Sequence, residues 1–166
     1  MYPDYNMYNQ YYGFNEYRST DMGENSGEII TLNQAIGLIR KSVGDEKEDE
    51  MFYETLIKQA PTEKEKNIIR SIRDDETKHN QILRKLYYEF TGQMLPADTL
   101  TSEQNTNLDY KANLEKALFG ELDAVVKYRK IMGTMPSGNS YTLLMSIMTD
   151  ELRHANKYNF LIHNAK

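Results

Sequence analysis

The chain has 166 residues, with 20 Lys and Arg against 25 Asp and Glu, three His, no Cys and no Trp. The length suits one domain of ordinary size, and the net charge of −5 argues against a nucleic-acid binder, which carries a basic excess on one face. The missing cysteines exclude a disulfide framework, an iron–sulfur cluster, a thiolate zinc site and a cysteine nucleophile, and they fit a reducing cytoplasm. Metal chemistry in this sequence must therefore rest on carboxylates and on His79, His154 and His163. The longest nearly apolar stretch falls near 141–148, far short of the roughly 20 residues a helix needs to cross a bilayer. The N-terminus lacks the basic and apolar regions of a signal peptide, so neither a membrane nor an export route is expected.

In chain order, residues 1–28 stand apart. Six of the 13 tyrosines fall there, among Asn, Gln, Gly and Asp, with neither helical nor strand periodicity. This composition predicts a disordered tail, or an adhesive arm that packs on a partner through tyrosine. The remainder, 29–166, reads as helical. Thr31 can cap a first helix, about 31–60, with Leu32, Ala35, Ile36, Ile39 and Val43 leading to Glu46, Glu50, Tyr53, Leu56 and Ile57 on one face. Thr62 and Glu65 stand in capping-box spacing and open a second, about 62–91, whose inward face includes Ile69, Ile72, Glu76, His79, Leu83 and Leu86. Gly92 stops it. Residues 92–106 are a long polar connection. A third helix is expected over about 107–135, with Leu114, Leu118, Glu121, Val125, Tyr128 and Met132 inward. A fourth, about 139–164, follows the Pro136–Asn139 turn, with Leu144, Ile147, Glu151, His154, Tyr158 and Leu161 inward.

Four long helices joined short, long, short predict an all-α fold: two antiparallel helical hairpins linked by a crossover running the length of the bundle, the ferritin-like four-helix arrangement. An up-down-up-down bundle is the alternative, although it needs no long connection between its middle helices.

The polar residues inside these apolar faces carry the chemistry. Glu46 precedes Glu76 by 30 residues, and Glu121 precedes Glu151 by the same 30. A shift of 75 maps Glu46 onto Glu121, Tyr53 onto Tyr128, Pro61 onto Pro136, Asp75-Glu76 onto Asp150-Glu151, and His79 onto His154. The two halves read as a duplicated helical hairpin. Residues three apart on a helix lie about 60° apart and one turn along, so Glu76 with His79, and Glu151 with His154, aim at one point. Four carboxylates and two imidazoles then converge on the bundle axis. Buried together, the charges would repel by several kcal/mol, whereas two divalent cations neutralise them. Glu46, Glu76, His79, Glu121, Glu151 and His154 are therefore the candidate metal ligands, and the nitrogen–oxygen set accepts iron, manganese or a mixed pair. The plain alternative is a set of surface salt-bridge residues. Asp75 and Asp150 are candidates to accept a hydrogen bond from the free ring nitrogen of the opposite histidine, fixing its tautomer. Tyr53 and Tyr128, two turns beyond Glu46 and Glu121, can offer hydroxyls to a carboxylate or an oxygen species, or serve as core aromatics.

Over about 32–164 the sequence resembles the rubrerythrin-like branch of the ferritin-like superfamily. The carrying motifs are Glu46 with Tyr53, Asp75-Glu76-x-x-His79, Gly120-Glu121 with Tyr128, and Asp150-Glu151-x-x-His154. The resemblance implies a di-iron centre that reacts with hydrogen peroxide or dioxygen, in cells handling oxidative stress, and a homodimer. Two departures stand out. Rubrerythrin proper has a Cys-ligated rubredoxin domain that delivers electrons, and this sequence has no Cys, so a separate donor is expected. Rubrerythrin proper also has a further Glu one turn after the third-helix ligand, where this chain has Ala124. Glu50, four residues after Glu46 on the same face, is an auxiliary carboxylate candidate in its place. The six-ligand set is closer to a bacterioferritin-type ferroxidase centre.

Three functions compete: peroxide or dioxygen chemistry or Fe(II) oxidation at the centre; iron binding or storage without turnover; and a structural role in a spore or surface layer, to which only the Tyr-rich tail points. His163 reads as an exposed terminal residue. Met132, Met135, Met145 and Met148 read as core filler near the last turn.

Overall fold

The computed structural model describes residues 30–96 and 108–165, except for the side chains of 45–51. Four helices follow: α1 Leu32–Gln59, α2 Glu63–Thr91, α3 Tyr110–Met132 and α4 Asn139–Asn164. Residues 1–28 and most of the long connection lie outside the described residues, so neither the expected tail nor the crossover's own path is described.

The helix ends follow from local chemistry. Thr31 and Gln34 close a capping box at the start of α1: the Gln34 backbone N–H donates to Thr31 Oγ1 at 3.3 Å and the Thr31 N–H donates to Gln34 Oε1 at 2.8 Å. Thr62 and Glu65 repeat the motif on α2 at 3.2 and 3.1 Å. Gly92 takes φ +69° at the α2 C-terminus, a left-handed conformation that a Cβ disfavours. The third helix is shorter than the sequence predicts at both ends. Asp109, not a residue near 107, caps it by accepting from the Ala112 N–H at 2.8 Å. At the other end the chain tightens after Met132: Thr134 N–H bonds Ile131 O and Met135 N–H bonds Met132 O. Pro136 then disfavours helical backbone at Met135.

The packing pairs are α1 with α2, α3 with α4, α1 with α3, and α2 with α4; the backbones of α2 and α3 do not approach closely. They are diagonal, which is the one-crossover arrangement and excludes the up-down-up-down bundle, where they would be neighbours. Across the bundle the helices run antiparallel. Gln59 at the end of α1 hydrogen-bonds Asn113 at the start of α3, and Lys157 Nζ donates to Ser71 Oγ while Arg153 pairs with Asp75.

The core is split. One apolar cluster holds Ile39, Val43, Leu83, Tyr128, Ile131 and Ile147; the other holds Leu114, Leu118, Tyr158, Tyr53, Leu56 and Ile72. The 75-residue shift carries each member of the first group onto or from a member of the second: Ile39 onto Leu114, Val43 onto Leu118, Leu83 onto Tyr158, and Tyr53, Leu56 and Ile72 onto Tyr128, Ile131 and Ile147. The duplication is thus a pseudo-two-fold in space, with a polar layer between the two apolar caps. Met132 and Met135 sit in the first cluster and Met148 packs against it, but Met145 is exposed and is not core filler. No helix among the described residues is long and apolar enough to cross a membrane.

Candidate metal centre

The polar layer is built from the two paired motifs. On α2 and α4, helical spacing turns Glu76 with His79, and Glu151 with His154, towards the bundle axis, and Glu121 joins them from α3. All five are nearly inaccessible: Glu76 8%, His79 2%, Glu121 6%, Glu151 2% and His154 0% exposed. They are not surface salt-bridge residues. Glu46 and Glu50 lie on α1, and their side chains are outside the described residues.

The two glutamates of the paired motifs each reach both imidazoles. Glu76 sets Oε2 3.1 Å from His79 Nδ1 and Oε1 2.9 Å from His154 Nδ1. Glu151 sets Oε1 3.4 Å from His79 Nδ1 and Oε2 3.6 Å from His154 Nδ1. Glu121 approaches His154 only, at 3.6 Å. The ring centroids of the histidines are 5.8 Å apart. Both rings direct Nδ1 inward and Nε2 outward. His154 Nε2 lies 3.3 Å from Asp75 Oδ2, and His79 Nε2 lies 3.3 Å from Asp150 Oδ2. Each aspartate therefore serves the histidine of the facing helix, not its own.

Tyr53 and Tyr128 do not stand together. Each is buried, in opposite apolar caps on either side of the polar layer. Ala124 is half-buried against the first cluster, so that position supplies no carboxylate. His163 is exposed in the last turn of α4.

Electrostatics follow from burial and crowding. Burial alone would push the His79 imidazole down, but Glu151 and Glu76 outweigh it and raise its pKa to about 11. For His154 burial is again overcome, by Glu121, Glu151 and Glu76, and its pKa rises to about 12. Burial, then the neighbouring carboxylates, pushes Glu121 up. Glu151 is held down despite its burial, because both imidazoles face it. Without metal, then, both imidazoles and Glu121 favour their protonated forms.

The groups present could hold a metal ion. Glu76, Glu121, Glu151 and His154 each offer one ligand atom, and these atoms all lie within 4.8 Å of one another. Glu76 Oε1 and His154 Nδ1 are buried and 2.9 Å apart, yet neither has a hydrogen bond of acceptable geometry. Buried polar atoms without a hydrogen bond are rare, and both belong to the group whose ligand atoms could hold a metal ion.

One feature of the layer is not apparent from the ligand spacing. Arg153 Nη2 lies 2.7 Å from Asp75 Oδ2 and 2.9 Å from Asp150 Oδ1, so one guanidinium holds both aspartates. Its repeat partner Lys78 lies 2.9 Å from Asp75 Oδ1. Although burial alone would raise it, Asp75 is held well below the usual carboxylate range by Lys78, His154 and Arg153. The only sequence signal is a basic residue immediately before each motif histidine.

Residues 38–109 match the family model described as Rubrerythrin. The match covers somewhat less than half the chain: most of the first hairpin and the connection after it. No curated protein and no solved structure matched the chain.

Proposed function

We propose that this chain, rubrerythrin-like over its matched stretch and ferritin-like in fold, is a di-iron carboxylate oxidoreductase that reacts with hydrogen peroxide or dioxygen, or oxidises Fe(II). The single observation that carries this reading is the pair of glutamates, Glu76 and Glu151, each directed at both inward-facing histidine nitrogens. Two carboxylates so placed could serve metals held by both histidines.

In this reading Glu76, Glu151, His79, His154, Glu121 and its repeat partner Glu46 would hold the metals. Iron bound there supplies redox electrons and Lewis acidity to an oxygen substrate. The remaining work belongs to the chain. Asp75 and Asp150 accept from Nε2–H and so keep Nδ1 free as the donor atom. Arg153 pairs with both aspartates and holds them in place. The two apolar caps exclude bulk water from both ends of the layer. His79, His154 and Glu121 carry the protons that leave when cations enter. Tyr53 and Tyr128 line the caps next to the layer, and Glu50 is an auxiliary carboxylate.

Manganese or a mixed pair is compatible with the same donors. Because this sequence has no Cys, electrons for peroxide turnover come from a separate donor. A cytoplasmic setting suits the absence of thiols, and a homodimer suits the family resemblance.

The test is re-oxidation of the anaerobic ferrous protein. Peroxide should restore the ferric visible absorption faster than Glu76→Ala protein allows by at least about a hundredfold. Fe(II) protein inert to both peroxide and dioxygen overturns the reading. Slow uptake of hundreds of irons per assembly assigns the chain to storage.

A further inference from the structure

The pseudo-symmetry is broken on one surface. Phe119, Leu122 and Val126 of α3 are 64%, 40% and 37% exposed, and Met145 and Leu152 of α4 are 40% and 43% exposed. On α3 they form one stripe at helical spacing, and on α4 they are two turns apart. The opposite flank of α4 faces α2 through Arg153 and Lys157, and the opposite flank of α3 faces α1 through Asn113. Both stripes therefore border the outer seam between α3 and α4. The hairpin register sets Val126 level with Met145, and Phe119 level with Leu152. In the first hairpin the 75-residue shift puts Gly44, Lys47, Arg70 and Thr77 at four of these five positions. The duplicated fold does not require exposed apolar residues here, and apolar side chains exposed on one face mark a contact surface.

The chain carries a segment of matching chemistry. Tyr2, Tyr5, Tyr8, Tyr11, Phe14 and Tyr17 place an aromatic ring at every third position. On a backbone of three residues per turn these rings share one edge, about 9 Å apart. The i, i+7 spacing of each exposed stripe is about 10.5 Å. Between Met1 and Ile29 there are five acids and one Arg. Arg129 and Lys130, at the Val126 end of the seam, form no ion pair among the described residues. The described chain begins at that same end: Ile30 packs on the cluster that holds Met132 and Met135. The 12 residues 18–29 span up to about 40 Å when extended, enough to pass from α1 around to the α3–α4 seam.

We propose that the aromatic edge of residues 2–17 docks on the α3–α4 seam of its own chain, seating Tyr rings between Phe119, Leu122, Val126, Met145 and Leu152. The occupant is an aromatic, acidic segment, and the surface selects it by apolar contact with a basic margin. This inference is independent of the metal centre.

The absence of native Cys allows a clean test in the full chain. Tyr8→Cys is paired with Leu152→Cys, or with Thr77→Cys at the equivalent place on the first hairpin, and disulfide formation is followed under mild oxidation. The expected result is a cross-link within one chain, at least about fivefold faster with Leu152→Cys, and slowed to the Thr77→Cys rate by adding Phe119→Asp and Val126→Asp. Circular dichroism of each variant checks that the helices persist. Equal rates for the two pairs overturn the proposal. Cross-links formed only between two chains also overturn it and assign the seam to a second copy.

Discussion

His154 Nε2 lies 3.3 Å from Asp75 Oδ2 on the facing helix, and this one contact ties the two halves of the repeat together at the polar layer. The same contact, repeated between His79 and Asp150, means that the outer nitrogen of each histidine is held by the other half. The duplicated hairpin is incomplete alone and becomes a site only when two copies face each other.

Asp75→Asn removes the charge that fixes the His154 tautomer. Metal affinity should fall about 10–100-fold, read by competition with a chelator of known affinity. Arg153→Gln should act in the same direction but less, because Lys78 still pairs with Asp75. Thermal unfolding of the metal-free protein should change little for Arg153→Gln, since its side chain is 54% exposed.

Metal entry should release protons. At pH 7 the metal-free imidazoles, with pKa raised to about 11 and about 12, are charged, and binding through Nδ1 requires them neutral. Loading the apo protein in weak buffer with a pH indicator should therefore show at least the two imidazolium protons. The Glu121 proton adds to them, because burial pushes that group up.

The same shifts set the pH dependence of apo stability. A histidine whose folded pKa exceeds its unfolded value contributes fully below about 6.5, and the contribution is lost as pH rises through the folded pKa. Glu121, also shifted up, acts in the same sense from its ordinary carboxylate range upward. Glu151, shifted down, contributes above its ordinary pKa and loses that contribution as pH falls. Apo stability should peak at about pH 4.5–6.5 and decline above it, and the melting-temperature gap between metal-loaded and apo protein should widen with pH.

The split core predicts separable packing losses. Leu56 and Ile131 are both fully buried, in opposite caps. Leu56→Ala and Ile131→Ala should each cost about 2–5 kcal/mol in denaturant unfolding. The double variant should cost close to their sum, since the polar layer separates them.

Much of this was legible because the sequence states it twice. The 75-residue shift aligned both paired motifs, and the caps at Thr31 and Thr62 set two helix starts. Asp109 was harder to find: several polar residues precede Tyr110, and only the Asp109 side-chain bond to Ala112 N–H selects one. Met145 looked like core by type, but its angular position on α4 turns it to the outer seam, and composition does not reveal that. Arg153 was invisible for a general reason. A basic residue on a charged helix looks solvated, and its bond to Asp75 spans helices far apart in sequence. The Glu46 and Glu50 side chains are outside the described residues; Glu46 rests on the repeat, and Glu50, whose repeat partner is Val125, rests on its spacing from Glu46.

Anaerobic titration of Fe(II) into metal-free protein, followed by metal analysis, tests for a two-metal site made from both halves. Saturation is expected near two irons per chain, with Glu76→Ala and Glu151→Ala each reducing binding of both, since each glutamate faces both histidines. Protein that takes up no iron or manganese, or that binds the same amount without Glu76 and Glu151, would contradict it.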